Sequence, residues 1–273
     1  MKEETITQID FPTWLDEYPK KFTSETLSAL NRCQITFPAR DDALFDKGLT
    51  QLTRSALSKN IQILTDDTDE IRVLLFADIR LHFGEDNDAT CLAINRFAWA
   101  CFTQSDIQRH MNVLFRLACR ADHVTELGTR TGVSTAAFVA ARPKTLCCYD
   151  LSRAPEVDQI EASSGPIDFQ FFQEDTLTCT IEPTDVMLVD TLHTYDQVKQ
   201  ELQRHAQYVR QYIVFHDTVM YGIQGVGDPD DAGHIQITRG LRPAIYEFLH
   251  NHQEWYMVDE RLFCNGLAII GRR

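Results

Sequence analysis

The chain is short of basic charge, and that shortage narrows what it can do. Twenty-six lysines and arginines stand against 40 aspartates and glutamates, a formal charge of -14. Nucleic-acid-binding proteins neutralise phosphates with clustered Lys and Arg, so nucleic acid is not an expected partner. A small anionic ligand needs only a local site and stays open, and the surplus of acid acts mainly on solubility. Also absent is any run near the ~18 consecutive apolar residues of a bilayer span, so no membrane association is expected. The opening Met-Lys-Glu-Glu-Thr lacks the basic-then-apolar order of a secretory leader. No C-x-x-C pair occurs among Cys33, Cys91, Cys101, Cys119, Cys147, Cys148, Cys179 and Cys264. These cysteines therefore read as small buried hydrophobes of a reducing compartment, and the expected location is cytoplasmic.

What is present suits a globular protein: 273 residues, 44% apolar and 24% charged, enough for one large domain or a domain with an accessory unit. Two halves differ in texture. Up to about Cys119 the periodicity is helical, with helices predicted over 23–30 (capped by Thr23 or Ser24) and over 69–81. A third helix is expected from Ser105, with Met111, Leu114, Phe115, Leu117 and Ala118 on its apolar face. Phe97, Trp99 and Phe102 read as packing aromatics.

From His123 onward, short apolar runs at 123–127, 145–149, 169–172, 186–189 and 212–215 alternate with helical stretches at 133–141, 157–162 and 195–209. That alternation predicts a parallel sheet covered by helices. After a helical stretch at 241–250, the runs 255–258 and 267–270 are joined through Asn265-Gly266 and predict antiparallel neighbours. The expected fold is α/β, a Rossmann-like, mostly parallel sheet with an antiparallel C-terminal edge pair. A helical segment over 1–104 precedes this domain, which occupies 105–273. The Gly- and Asp-rich stretch 222–233 is expected to be a loop, with Asp228, Asp230 and Asp231 at a solvated tip or in a lid.

Ligands of open α/β sheets bind at the carboxyl ends of the strands, so those ends are searched first. The first run ends in Glu126-Leu127-Gly128-Thr129-Arg130-Thr131-Gly132-Val133-Ser134-Thr135. Its glycines allow a tight turn and close approach to a ligand, and the helix start that follows offers free N–H groups. Their spacing is G-x-x-x-G, not the dinucleotide G-x-G-x-x-G. Asp150 ends the second run, where a carboxylate can accept both hydroxyls of a ribose. Asp175 follows the third, placed for a donor such as an adenine amino group. Strand-end acids also cap helices, and each taken singly admits that reading.

With this loop stand three further segments: Asp190-Thr191-Leu192-His193-Thr194-Tyr195, Phe215-His216-Asp217-Thr218 and Gly240-Leu241-Arg242-Pro243-Ala244-Ile245. Together they resemble the class I S-adenosylmethionine-dependent methyltransferases, most of all the group holding cephalosporin-hydroxylase-like proteins and metal-dependent sugar O-methyltransferases. The resemblance runs from about Ser105 to the C-terminus. It implies an enzyme with S-adenosylmethionine as cofactor and a small-molecule or glycan substrate; a homo-oligomer is compatible with it. The cofactor-contacting set it implies is Glu126, Gly128, Thr129, Arg130, Gly132, Ser134, Asp150, Asp175 and Asp190, with Glu126 and Gly128 at the methionine end. It also places an acid that helps bind metal at Asp190 and a base at His193.

Asp190 and His193 follow the fourth run; His216 and Asp217 follow the fifth. Adjacent parallel strands would bring the four together. A hydroxyl is a poor nucleophile until its proton is lost, and two devices are open. A divalent metal on Asp190, His216 and Asp217, Mg²⁺ or another ion, would act as a Lewis acid. Alternatively His193 and His216 act as base and acid without metal. The resembled enzymes usually carry two acids where this chain has His216-Asp217, and a histidine ligand would favour Mn²⁺ or Fe²⁺. Bland readings remain beside these: His193 capping the following helix, Asp217 capping a turn, His216 a core histidine. Tyr221 is a further candidate for the pocket wall. The alternatives to a sugar O-methyltransferase are a non-haem-metal hydroxylase of the cephalosporin-hydroxylase type and a catalytically inactive methyltransferase-fold binding module.

Overall fold

The computed structural model describes residues 104–229, 235–236 and 238–273, with the strands Thr7–Asp10 and Asn60–Ile63 and the helical positions 93, 96, 97 and 100. The helices expected over 23–30 and 69–81, Trp99, Phe102, Asp230 and Asp231 lie outside the described residues. Two compact units emerge. One comprises Met1–Arg120, Ala136–Arg142 and Gln159–Pro166; the other comprises Ala121–Thr135, Pro143–Asp158 and Ile167–Arg273.

In the first unit, α1 (Met111–Ala118) follows a short 3₁₀ turn, Gln108–His110. Met111, Leu114, Phe115 and Ala118 are fully buried at helical spacing, and Phe97 stacks on Phe115 with ring centroids 5.0 Å apart. Phe97 is thus a packing residue, as its context suggested. Leu117, expected on the same face, is only half-buried. The segment before Ser105 is not helical throughout. Thr7–Asp10 and Asn60–Ile63 pair antiparallel, Ile9 opposite Ile61. Both runs are too short for helical spacing to be read from them, and the isoleucines of the second alternate at the period of a strand.

The second unit carries a seven-stranded sheet. Its strands are β1 (His123–Leu127), β2 (Thr145–Asp150), β3 (Asp168–Gln173), β4 (Thr184–Val189), β5 (Val209–His216), β6 (Trp255–Arg261) and β7 (Leu267–Arg272). In spatial order they run β6-β7-β5-β4-β1-β2-β3. Contacts from β3 to β5 across the sheet are all parallel, and β7 pairs antiparallel with both β5 and β6. The C-terminal pair is therefore antiparallel as expected, with its second strand inserted inside the first. All residues of β1 and β4 are buried; 186–189 in β4 reads accordingly as a continuous apolar run, whereas β1 buries the polar His123, Thr125 and Glu126 between Val124 and Leu127.

The connecting helices are α2 (Val133–Ala141), α3 (Pro155–Ala162), α4 (Tyr195–His205) and α5 (Leu241–Asn251). Thr194 caps α4, its Oγ1 accepting from Gln197 N at 3.3 Å. His193 is thereby relieved of the capping role that its position allowed. Val198 and Leu202 of α4 join Leu241, Ala244, Ile245 and Phe248 of α5 in one core with Tyr149, Met187, Val189, Ile213, Phe215, Ala268 and Ile270. Their two-residue spacing on the strands puts these residues on one face of the sheet. Burying side chains of this size contributes roughly 1.5–3 kcal/mol each. Cys119, Cys147, Cys148 and Cys179 are buried. Burial pushes Cys147 up to about 12, Cys179 up to about 11 and Cys148 well above the ordinary thiol value, so these three are uncharged packing groups.

Strand order reverses at β1: β2 and β3 lie to one side, β4 and β5 to the other. Such a switch opens a crevice at the carboxyl ends of β1 and β4, the place where doubly wound sheets bind ligands.

Candidate active site

Both strands of the switch end in the segments singled out by the sequence. Gly128 follows β1 with φ +88°, and a Cβ there would lie 2.0 Å from the carbonyl oxygen of Asp190. Only glycine fits, because the turn leaves β1 directly against the end of β4. Hydrogen bonds hold it there: Gly128 N donates to Tyr149 O at 2.9 Å, and Asp190 N to Leu127 O at 2.9 Å. Thr129 is buried, its hydroxyl 3.4 Å from Tyr149 O; Arg130 (φ +49°) and Gly132 (φ +78°) complete the turn into α2.

Glu126 lies wholly enclosed beneath this turn. It accepts from Ser134 Oγ and Thr135 Oγ1, both at 2.5 Å, and from Cys148 Sγ at 3.4 Å. Glu126 and Ser134 thus brace the loop to the first turn of α2, where a negative charge is favoured by the helix dipole. Burial outweighs those hydrogen bonds and pushes the carboxyl up to about 7. Stability from the neutral form is complete below its ordinary 4.5 and is lost as pH climbs through about 7. Relative to Glu126→Gln, the wild type is expected to lose about 3 kcal/mol between pH 4 and pH 9, measured by urea unfolding. An unchanging difference across that range would refute the assignment.

Asp150 comes to the loop. Its Oδ2 accepts from Arg130 N at 2.7 Å and its Oδ1 from Ser152 N at 3.2 Å, leaving a lone pair on each oxygen. Asp175 is exposed, and its hydrogen bonds are local: Oδ1 accepts from Leu177 N at 2.8 Å in a tight turn beyond β3.

On the other side of the switch, the register sets Val189 beside Phe215, so the residues that follow meet. His193 Nε2 lies 2.8 Å from Asp217 Oδ2 and 3.4 Å from Asp190 Oδ1. His216 Nδ1 lies 3.3 Å from Asp190 Oδ1 and 3.5 Å from Asp217 Oδ2. The four polar residues that the sequence pointed to form one cluster. Asp190 and His193 are half-buried, while His216 and Asp217 are buried. Asp217 adopts φ +58°, the left-handed region that non-glycine residues enter at a cost, here at a functional candidate. Tyr221 stacks flat on His193, centroids 4.7 Å apart and planes within 3°.

Burial would raise Asp190, yet hydrogen bonds and positive charge from His193 and His216 hold it well below the usual carboxylate range. For His193, burial opposes the charge, but Asp190 and Asp217 overcome it and push the imidazole up to about 9. Residue type alone gives an imidazole near neutrality, and the two carboxylates move His193 above it. The two carboxylates keep a proton on His193 at pH 7.

Asp190, His216 and Asp217 each offer a ligand atom within 4.8 Å of the others. Asp217 Oδ1 is buried without a hydrogen-bond partner among the described residues. Leu192, Val219 and Met220, close in sequence to the cluster, are exposed apolar side chains, as are Ile223 and Leu262. Val219 N and Met220 N donate to Asn265 O, and Gly240 N to Ile223 O. Sequence reasoning missed Glu201, Thr176, Thr191 and Gln197, which hold the ends of β3 and β4 together. The only signal was polar residues at four-residue spacing along α4, at Gln197, Glu201 and His205.

No protein-family model matches the sequence, and no curated protein matches it. Similar solved structures are methyltransferases. One is the Burkholderia thailandensis 1,6-didemethyltoxoflavin-N1-methyltransferase with 1,6-didemethyltoxoflavin and S-adenosylhomocysteine bound. It is 18% identical over 62% of this chain and 78% of its own, with a TM-score of 0.49. A Podospora anserina methyltransferase bound to S-adenosylhomocysteine is 13% identical over 67% of this chain and 88% of its own, TM-score 0.46. CalS10, an amino pentose methyltransferase from Micromonospora echinaspora with S-adenosylmethionine bound, is 16% identical over 64% and 95%, TM-score 0.43.

Proposed function

We propose that the chain is an S-adenosylmethionine-dependent O-methyltransferase acting on a hydroxyl of a sugar or glycosylated small molecule. The observation that carries this reading is the pairing at the switch point. A glycine turn with a ribose-competent Asp150 stands on one side, and the Asp190, His193, His216 and Asp217 cluster on the other. The sugar as acceptor comes from the family resemblance.

When bound, S-adenosylmethionine supplies a methyl carbon activated by its sulfonium. The protein's part is to hold the acceptor oxygen in line with that methyl and to take its proton. Asp150 accepts the ribose hydroxyls on its remaining lone pairs, and Gly128 keeps the chain close enough to leave the crevice open. His193, in its neutral form, accepts the hydroxyl proton, and Asp217 and Asp190 stabilise the imidazolium so formed, while Tyr221 fixes the plane of the ring. The apolar rim of Leu192, Met220 and Ile223 suits an acceptor with a non-polar body beside the reacting hydroxyl.

The cluster also fits a divalent cation, since the orphaned Asp217 Oδ1 and the two neighbouring ligands form a mixed oxygen and nitrogen set. Asp190, His216 and Asp217 would hold the ion, which would supply Lewis acidity toward the acceptor oxygen.

Calorimetric titration with S-adenosylhomocysteine tests the cofactor assignment. One site is expected, weakened about tenfold or more in Asp150→Ala, because a charged acceptor is worth about 1.5–3 kcal/mol. Absence of binding heat in the wild type over a range of temperatures sinks the reading. With an acceptor in hand, dialysis against EDTA separates the two routes: lost turnover restored by Mn²⁺ or Mg²⁺ supports the metal, and unaltered turnover removes it.

A further inference from the structure

One buried carboxylate has no part in the chemistry above. Glu201 lies in the second half of α4 and is fully enclosed. Its Oε1 accepts from Thr176 Oγ1 at 2.6 Å and from Gln197 Nε2 at 2.8 Å. Thr191 Oγ1 lies 2.8 Å from Oε1 and 3.0 Å from Oε2. The two threonines belong to different loops: Thr176 follows Asp175 beyond β3, and Thr191 follows Asp190 beyond β4.

In the sheet, β3 and β4 are separated by β1 and β2, so no ladder of backbone hydrogen bonds joins their ends. The side chains of α4 make the connection instead. Gln197, Glu201 and His205, four residues apart, share one stripe of the helix. Gln197 Nε2 also reaches Thr176 Oγ1 at 3.1 Å, and His205 Nε2 donates to Thr176 O at 2.7 Å. That donation leaves His205 Nδ1 as an acceptor, buried and without a partner among the described residues. A buried acid without a cation beside it is costly unless its oxygens are hydrogen-bonded. An apolar side chain would pack here more cheaply. What it could not do is hold hydroxyls from two loops at once.

We infer that Glu201 is a positioning residue that couples the loop after β3 to the loop after β4. A ligand settling against Asp175 thereby steadies Asp190 and His193. The ligand in this statement rests on the proposed methyltransferase reading; the bridge between the loops does not.

Hydrogen exchange on the full chain, with and without S-adenosylhomocysteine, tests both parts. Without ligand, Glu201→Ala is expected to exchange about tenfold faster or more in both 174–179 and 190–194, and Glu201→Gln, which can still accept from both threonines, to stay near the wild type. With ligand, the wild type is expected to gain protection in both segments and Glu201→Ala only in 174–179. Thr191→Val cuts one arm alone and is expected to release 190–194 only, which keeps the test decisive should Glu201→Ala not fold. Equal exchange at 190–194 in wild type, Glu201→Ala and Thr191→Val overturns the bridge, and ligand protection of both segments in Glu201→Ala overturns the coupling. If the wild type responds to S-adenosylhomocysteine in neither segment, the cofactor reading fails, and the ligand-free comparison still decides whether Glu201 joins the loops.

Discussion

Replacing His193 with glutamine is expected to lower turnover by about 10²–10⁴-fold, the usual contribution of a positioned acid or base, and to leave S-adenosylhomocysteine affinity within about threefold of the wild type. Glutamine is the better probe than alanine. Asp217 is buried, and His193 at 2.8 Å is its nearest charged partner among the described residues. Truncation to alanine would strand that carboxylate, a loss that by itself costs about 1–3 kcal/mol and would blur the reading. Glutamine can still donate to Asp217 but cannot take up a proton. The sign of the pH dependence follows from the raised imidazole: only its neutral form accepts a proton, so wild-type turnover rises with pH on the way to about 9. His193→Gln is expected to lose that rise. Full activity in the variant, or an unchanged pH profile, removes His193 from the proton path.

Much of this site was legible because parallel strands translate order along the chain into neighbourhood in space. The fourth and fifth apolar runs, each followed by an acid and a histidine, could lie side by side only with those residues at one edge. The proton on His193 was not legible. It depends on a 2.8 Å contact with a residue 24 positions away, whereas residue type alone pointed to an imidazole near neutrality. Glu201 stayed hidden for a related reason. A glutamate in an amphipathic helix reads as a solvated face unless the loops it touches are known. Within the sheet, 186–189 in β4 announced itself as an unbroken apolar run because both faces of that strand are covered, whereas β1 is equally buried but carries His123, Thr125 and Glu126. The insertion of β7 between β5 and β6 was harder to see, although Leu267-Ala268-Ile269-Ile270 is unbroken and the outer strand β6 carries charges. Asp175 was given a ligand's role from its place after a strand, and that same place suits the turn it closes with Leu177.

Gly128→Ala is expected to be the most damaging single-methyl change in the described part of the site. The added carbon would stand 2.0 Å from Asp190 O and 2.6 Å from Asp190 C, both backbone atoms that no rotamer change can move aside. Alanine at φ +88° also carries left-handed strain of about 1–2 kcal/mol. Overpacking against a fixed backbone adds about 1–3 kcal/mol, so a total loss of about 2–5 kcal/mol is expected in urea unfolding. Relief has one direction open to it, separation of the ends of β1 and β4 where Asp190 N donates to Leu127 O at 2.9 Å. That movement carries Asp190 away from His193 and His216, so cofactor affinity and turnover are expected to fall together. His193→Gln differs in losing turnover alone. A Gly128→Ala protein within about 1 kcal/mol of wild-type stability that still binds S-adenosylhomocysteine normally would show that the turn does not need glycine. The close approach of β1 to β4 would then not be what shapes the crevice.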